Sequence, residues 1–252
     1  MTSINNCSDT LLNEESTPIV SKKFPKRRIA LQIIVTILVI ISATLCLVLR
    51  EQGISAWRGF KAITTTLIVG IAVIRTHHSQ FSTPTYQYPI TIGLCCGLIG
   101  DIFLSYDEHR IYFFMGVLSF LIGHLYFVAA FMRNSVAKKK FAAVIILMDL
   151  TYLGFVVRHA PLSLRVAAVV YLAIISAMIF SSLSRFTTTT KKNTKVRISS
   201  FFTLAGSCLF FVSDGVLGTI YFYPLSQQYY FLMQCVVLIT YWSAQLLIAY
   251  SI

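Results

Sequence analysis

Long apolar runs separated by short polar segments dominate this chain of 252 residues. Each run is continuous, without the strict apolar–polar alternation that a membrane β-strand shows. A bilayer admits only helices or closed barrels, so continuous runs of this length predict transmembrane helices. Eight such runs occur, at 29–49, 60–75, 88–104, 111–132, 141–157, 164–184, 198–222 and 229–251. We therefore predict an all-α fold, a polytopic bundle of about eight membrane helices.

The composition excludes most soluble classes of protein. Hydrophobic residues make up 56% of the chain and charged residues only 12%, whereas about a quarter of an average soluble domain is charged. A soluble enzyme, a disordered chain and a nucleic-acid-binding domain all fit poorly, so the lipid bilayer is the expected environment and nucleic acid is not an expected partner.

The basic residues predict the orientation of the bundle. Of the 21 Lys and Arg residues, 15 lie in the N-terminal segment and in the loops after runs two, four and six, and 6 lie on the other side. The richer side is expected to be cytosolic, and an even number of spans then leaves both termini there. Residues 1–28 are interpreted as a disordered polar cytosolic tail and residues 29–252 as the membrane domain.

Ionisable side chains inside the predicted spans are the main functional candidates. Each costs on the order of 3 kcal/mol at the centre of a span, so a function or a specific partner is needed to retain it. Four stand out, namely Asp101, His124, Asp149 and Asp214. Asp149 is interpreted as structural, paired with Tyr152 three residues later. For the others, a structural hydrogen bond between helices remains the alternative.

Asp101 and Asp214 lie on helix faces rich in small residues. Gly93 and Gly97 precede Asp101 at steps of four residues, and Gly206 precedes Asp214 at twice that step. Small residues let neighbouring helices approach closely. These aspartates are therefore expected to face protein, and we predict that they converge on one cavity.

Further polar residues accompany them. Gln234, Tyr241 and Gln245 follow one face of the last span, which suits either hydrogen bonds between helices or contacts to a substrate. Lys61 begins the second span, either as a snorkelling lysine or as a cation for a lipid phosphate. No metal site is predicted, because one histidine with two aspartates is a thin ligand set, and no cofactor is expected.

Several short motifs occur in a familiar order. They are Lys61 with Thr64 and Thr65, Gly100-Asp101, Gly123-His124, Tyr171, Ser213-Asp214, and Tyr241 with Ala244-Gln245. In this order and spacing, residues 57–250 resemble the YhhN-type transmembrane family, whose characterised members are lysoplasmalogenases. The resemblance implies hydrolysis of the vinyl ether bond of an alkenyl lysophospholipid, which releases a fatty aldehyde and glycerophosphocholine or glycerophosphoethanolamine. It also implies an endoplasmic reticulum membrane location.

This chemistry suits a pair of carboxyl groups. A vinyl ether is cleaved when an acid protonates its alkenyl carbon, and the resulting oxocarbenium ion needs a nearby anion, as in glycosidases. Asp101 and Asp214 are the predicted acid and base, and the sequence does not indicate which of the two carries the proton. His124 and Tyr241 are second candidates for positioning water or relaying protons. The predicted substrate-binding residues are Lys61, Gln234, Gln245 and Ser213.

Two other classes of function remain open. A proton-coupled transporter is the main alternative, because intramembrane Asp and His residues also form proton relays, although no internal repeat of the kind that many transporters contain is evident. A receptor or scaffold with a polar core that serves only packing is the third. Turnover of a lysolipid by purified protein without a gradient would distinguish an enzyme from both.

Overall fold

The computed structural model describes residues 26–78, 82–106, 109–133, 135–136, 141–189, 193–223 and 226–252. Over these ranges the fold is all-helical, as predicted. The helices are α1 (Lys26–Glu51), α2 (Trp57–His78), α3 (Pro84–Leu104), α4 (Arg110–Met132), α5 (Ala142–Phe155), α6 (Leu162–Thr189), α7 (Thr194–Phe222) and α8 (Gln227–Tyr250). The predicted tail falls largely on residues 1–25, which lie outside the described residues.

Eight segments are long and apolar enough to cross a membrane, which confirms the predicted number of spans among the described residues. Seven of them correspond to single helices. The fifth reaches sufficient length only when α5 is joined to the 3-10 turn Val157–His159 that follows it. The cytosolic placement of the termini stays a prediction.

Several helices continue beyond the apolar runs that predicted them. His77 and His78, which follow the second apolar run, form the end of α2. In the last turn of α6, the hydroxyls of Thr187 and Thr188 donate to the carbonyls of Leu183 and Ser184. A threonine hydroxyl can donate a hydrogen bond to a backbone carbonyl of the preceding helical turn. Polar residues can therefore extend these helices past the apolar region.

Six helices surround the core and two lie at its edge. The main contacts join α3 to α4, α7 to α8, α2 to α3, α6 to α7, α4 to α6, and α2 to α8. Helix α1 packs mainly on α2, and α5 mainly on α6. Most side chains of α1 and α5 are exposed on the bundle surface and large apolar ones predominate there, as expected of helices that face lipid.

Glycines bring the central helices into close contact. A β-carbon at Gly123 of α4 would lie 2.9 Å from the carbonyl oxygen of Gly93 in α3. One at Gly206 of α7 would lie 3.0 Å from the carbonyl oxygen of Ala244 in α8. The backbones of α3 and α4, and of α7 and α8, therefore approach too closely for larger side chains at these positions.

Candidate active site

The two predicted carboxyl groups line one cavity of about 150 Å³. Asp101 lies near the end of α3, and Asp214 lies on α7. The end of α1, the start of α2 and helix α8 supply further polar lining residues. Lys61, Ser213, Gln234 and Tyr241 also line this cavity, which we call the polar cavity. The geometry thus brings most of the predicted residues together, while their roles in catalysis or binding stay predictions.

Asp101 is buried in a dense set of polar contacts. Its Oδ1 lies 3.2 Å from the ammonium nitrogen of Lys61. Its Oδ2 accepts hydrogen bonds from the hydroxyls of Thr65 at 2.5 Å and Tyr241 at 2.8 Å. The Asp101 side chain is only 2% exposed. A carboxylate with an ammonium partner and two donors is stabilised as an anion.

A second layer of contacts on α8 positions these donors. The side-chain amide of Gln245 donates to the Tyr241 hydroxyl at 2.6 Å, and the Trp242 indole donates to the Thr65 hydroxyl at 3.3 Å. Gln245 is not among the residues that line the polar cavity. It lies behind Tyr241, and its predicted contact with a substrate stays a prediction.

Asp214 has a different environment. Its Oδ2 accepts a hydrogen bond from the Tyr171 hydroxyl at 2.7 Å. No lysine or arginine pairs with Asp214 among the described residues. Its side chain is 13% exposed, compared with 2% for that of Asp101. The two carboxyl groups are therefore not equivalent.

His124 lies behind Asp214 on α4. Its Nε2 is 3.6 Å from Asp214 Oδ2, which is longer than a hydrogen bond. The rings of Phe127, Tyr171 and Phe210 enclose the imidazole with centroids 5.1 to 6.2 Å away. The histidine is 2% exposed and is not among the residues that line the polar cavity. It lies beside Asp214 and does not line the cavity.

An apolar pocket of about 120 Å³ adjoins the polar cavity. Helices α4, α6 and α7 form most of its wall, and Tyr152 of α5 contributes to it. Asp214 lines both spaces, together with Leu104, Phe120, Leu217 and Tyr221. Asp214 therefore marks the junction between a polar and an apolar compartment.

Several residues of the site escaped the sequence analysis. Arg50 and Arg58 line the polar cavity near Lys61, although the sequence analysis only counted them among the six basic residues on the side poorer in charge. The Arg50 guanidinium stacks over the Trp57 ring at 4.4 Å. Tyr171 appeared among the motifs, but no pattern indicated that its hydroxyl would reach Asp214. The two arginines could have been found from the sequence, because few basic residues lie on that side of the membrane and those few are candidates for a function.

The predicted partner of Asp149 is wrong. Its Oδ1 accepts a hydrogen bond from the Ser176 hydroxyl at 2.7 Å, which ties α5 to α6. The hydroxyl of Tyr152 instead reaches α7 and donates to the Gly215 carbonyl at 2.9 Å. The long tyrosine side chain extends across the helix interface rather than along its own helix. The structural interpretation of Asp149 agrees with its place outside both the polar cavity and the apolar pocket.

No group of three or more His, Cys, Asp or Glu residues within the described ranges could hold a metal ion. The described side chains of the site thus offer carboxyl, phenol, imidazole and cationic groups. Together they can donate and accept protons, hold a water molecule and attract an anion.

Comparison with known proteins agrees with the motif order. The family model described as the YhhN family matches residues 56–252, which include the whole of helices α2 to α8. No curated protein and no solved structure matches the chain. The family match takes in every residue of the polar cavity except Arg50, which belongs to α1. Because this match extends over most of the sequence, the chain belongs to the YhhN family.

Proposed function

We propose that this chain is a membrane lysoplasmalogenase. It would hydrolyse the vinyl ether bond of an alkenyl lysophospholipid and release a fatty aldehyde and a glycerophospho-choline or -ethanolamine. The observation that carries the proposal is the position of Asp214 between the polar cavity, which holds a second carboxylate, and the apolar pocket. A single-chain ether lipid has its reactive bond at the corresponding point, between a polar head and an apolar tail.

Asp214 is the proposed acid. It has no lysine or arginine partner among the described residues, and it is the more exposed of the two carboxyl groups. Its proton adds to the second carbon of the alkenyl chain, and the first carbon becomes an oxocarbenium ion bonded to the ether oxygen. Water adds to that carbon and returns a proton to Asp214. The hemiacetal then collapses to the aldehyde and a free glycerol hydroxyl.

Asp101 is the proposed fixed anion. Its contacts with Lys61, Thr65 and Tyr241 hold its charge in place, and the Tyr241 ring forms part of the cavity wall. A preorganised negative charge stabilises the developing oxocarbenium ion without reorganisation at the moment of reaction. Tyr241 and Asp101 together would also orient the attacking water.

The proposed substrate would lie with its phosphate headgroup in the polar cavity and its alkenyl chain in the apolar pocket. Arg50 and Arg58 lie at the polar end, where a phosphate would be attracted. The alkenyl chain would enter the apolar pocket past Asp214, beside aromatic residues such as Phe113 and Phe120. Ser213 and Gln234 on the polar wall are within the region that the glycerol hydroxyl groups would occupy.

The decisive experiment measures fatty aldehyde release by the purified full chain in detergent. A 1-alkenyl lysophospholipid is the substrate, and its 1-acyl analogue is the comparison. Asp214→Asn is expected to lower turnover by about 10² to 10⁴, the usual contribution of a general acid. Asp149→Asn is the matched control, because it removes a hydrogen-bonded carboxylate that is within a span but lines neither the polar cavity nor the apolar pocket.

Each outcome has a clear meaning. Aldehyde release by the wild type and the Asp149→Asn variant, but not by a folded Asp214→Asn variant, supports the proposal. Release of fatty acid from the acyl lipid alone would overturn the substrate assignment. Failure to turn over either lipid by folded protein favours a transporter, for which the buried Lys61–Asp101 ion pair would also be suited.

We further propose that the protein resides in the endoplasmic reticulum membrane. The proposal rests on the expected lipid substrate, because eight apolar helices require a membrane but do not distinguish one cellular membrane from another. Fractionation of cells that express a tagged full chain tests it, and recovery of the protein with plasma membrane markers would contradict it.

A further inference from the structure

A second large cavity lies at the opposite end of the bundle from the candidate active site. Its volume is about 600 Å³, compared with about 150 Å³ for the polar cavity. Seven helices contribute to it, through the starts of α1, α3 and α7 and the ends of α2, α4, α6 and α8. This is the end that the distribution of basic residues predicts to be cytosolic. We call it the basic cavity.

Four cationic side chains line the basic cavity, namely Arg75, Arg133, Arg185 and Lys195. No aspartate or glutamate is among its lining residues. Within the described helices, the aspartates and glutamates lie either at the end of the bundle that holds the polar cavity or in the middle of α5. The described lining residues of this cavity therefore include four cationic side chains and no acidic side chain.

Among the described residues, Arg75 and Arg185 donate hydrogen bonds to neutral acceptors. Arg75 donates from Nη2 to the Tyr250 carbonyl at 3.0 Å and from Nη1 to the Gln32 side chain at 3.4 Å. Arg185 donates from Nη2 to the Ser199 hydroxyl at 3.1 Å. The Nε atom of each arginine is buried without a hydrogen-bond partner among the described residues. Both guanidinium groups are held in place, and no aspartate or glutamate of the described residues forms an ion pair with them.

Aromatic rings hold these arginines further. The Arg185 guanidinium lies 3.9 Å from the ring centroid of Tyr86, and that of Arg75 lies 5.1 Å from that of Tyr250. A planar guanidinium stacked on an aromatic ring keeps an edge free for a second, bidentate partner. Preorganised arginines of this kind are suited to phosphate, which they bind through paired N–H groups.

We propose that the basic cavity binds a phosphate-bearing anion, at a site separate from the candidate active site. The shared chemistry is that of a phosphomonoester, supplied either by the headgroup of a membrane lipid or by a soluble phosphate. Apolar residues such as Ile29, Val196 and Phe202 also line the cavity, and they would contact the glycerol backbone and first chain carbons of a lipid. Because seven helices meet here, the bound anion would join their ends.

The test measures binding to the purified full chain in dodecyl maltoside by native mass spectrometry. The probes are dioctanoyl phosphatidic acid, dioctanoyl phosphatidylcholine and inorganic phosphate. The informative variant is Arg133→Gln with Lys195→Gln, since both side chains are exposed and their loss should leave the fold intact. The matched control is Arg110→Gln with Arg158→Gln, which removes two exposed arginines from the other end.

Phosphatidic acid is expected to bind at least about tenfold more tightly than phosphatidylcholine, and the Arg133→Gln, Lys195→Gln variant to weaken that binding about tenfold or more. The control variant should bind as the wild type does. Displacement of phosphatidic acid by inorganic phosphate at similar concentrations would identify a soluble ligand, and its absence a lipid. Equal binding of the two lipids, or equal loss in both variants, would overturn the proposal. No turnover is measured, so this result is independent of hydrolysis.

Discussion

The buried Lys61–Asp101 pair allows a quantitative test of the candidate site. The ammonium nitrogen and Oδ1 are 3.2 Å apart, and the two side chains are 8% and 2% exposed. At an effective dielectric constant of about 20, two unit charges at that separation attract by about 5 kcal/mol. Removal of one partner of a buried pair typically costs about 3 to 5 kcal/mol, because the other charge is left uncompensated.

Lys61→Met should therefore lower the free energy of unfolding by about 3 to 5 kcal/mol. Asp101→Asn should cost less, because Lys61 is near the start of α2 and its long side chain can extend toward the interface. The double variant should recover part of the loss. The two substitutions are expected to be coupled by about 2 kcal/mol or more, within the range seen for neighbours in one ionic network.

The measurement is reversible unfolding in mixed detergent micelles, followed by far-ultraviolet circular dichroism, for the wild type, both single variants and the double variant. Arg110→Met serves as the control, since it removes an exposed cation and should change stability little. Additive effects of the two single substitutions, or a Lys61→Met cost below about 1 kcal/mol, would refute the view that Asp101 is held as an anion by Lys61.

Three further predictions concern activity. Gly97→Ala places a β-carbon 2.5 Å from the amide nitrogen of Gln245, so it should lower aldehyde release about tenfold or more by shifting the α8 contacts. Gly70→Ala meets nothing within 4 Å and should leave the same rate unchanged. Tyr171→Phe removes the donor to Asp214 and is expected to lower kcat with little change in KM, whereas a change in KM alone would contradict its assigned position. Arg58→Gln should raise KM for the lysolipid with kcat retained, and the absence of any kinetic effect would exclude it from headgroup binding.

The number and position of the spans followed from the sequence because apolar length is a direct physical requirement of the bilayer. The helix ends did not follow, since His78 and Thr189 remain helical where the apolar runs have already ended. Hydrophobicity reports where lipid begins, while backbone hydrogen bonds decide where a helix ends. The two boundaries differ wherever polar residues can still form helix.

The candidate site was predictable for residues whose burial is costly. Asp101 and Asp214 stood out because an ionisable group in a span needs a reason to be there. The hydrogen bonds from Thr65 and Tyr171 to these aspartates were not predictable, because hydroxyl groups occur throughout membrane helices at little cost. Their partners depend on which helices adjoin, as the contact between Asp149 and Ser176 also illustrates. One sequence without packing information does not determine those neighbours.

The short length of the fifth span affects how the protein fits into a bilayer. It comprises 18 residues, the shortest of the eight, and only 6% of it is buried within the bundle. Its α-helical part, α5, has 14 residues and at about 1.5 Å per residue measures about 21 Å, which is less than the hydrocarbon thickness of about 27 to 33 Å of cellular membranes. Bilayer thickness therefore acts most strongly on this span. Since Tyr152 of α5 also forms part of the wall of the apolar pocket, a thicker membrane would strain the enclosure of that pocket first.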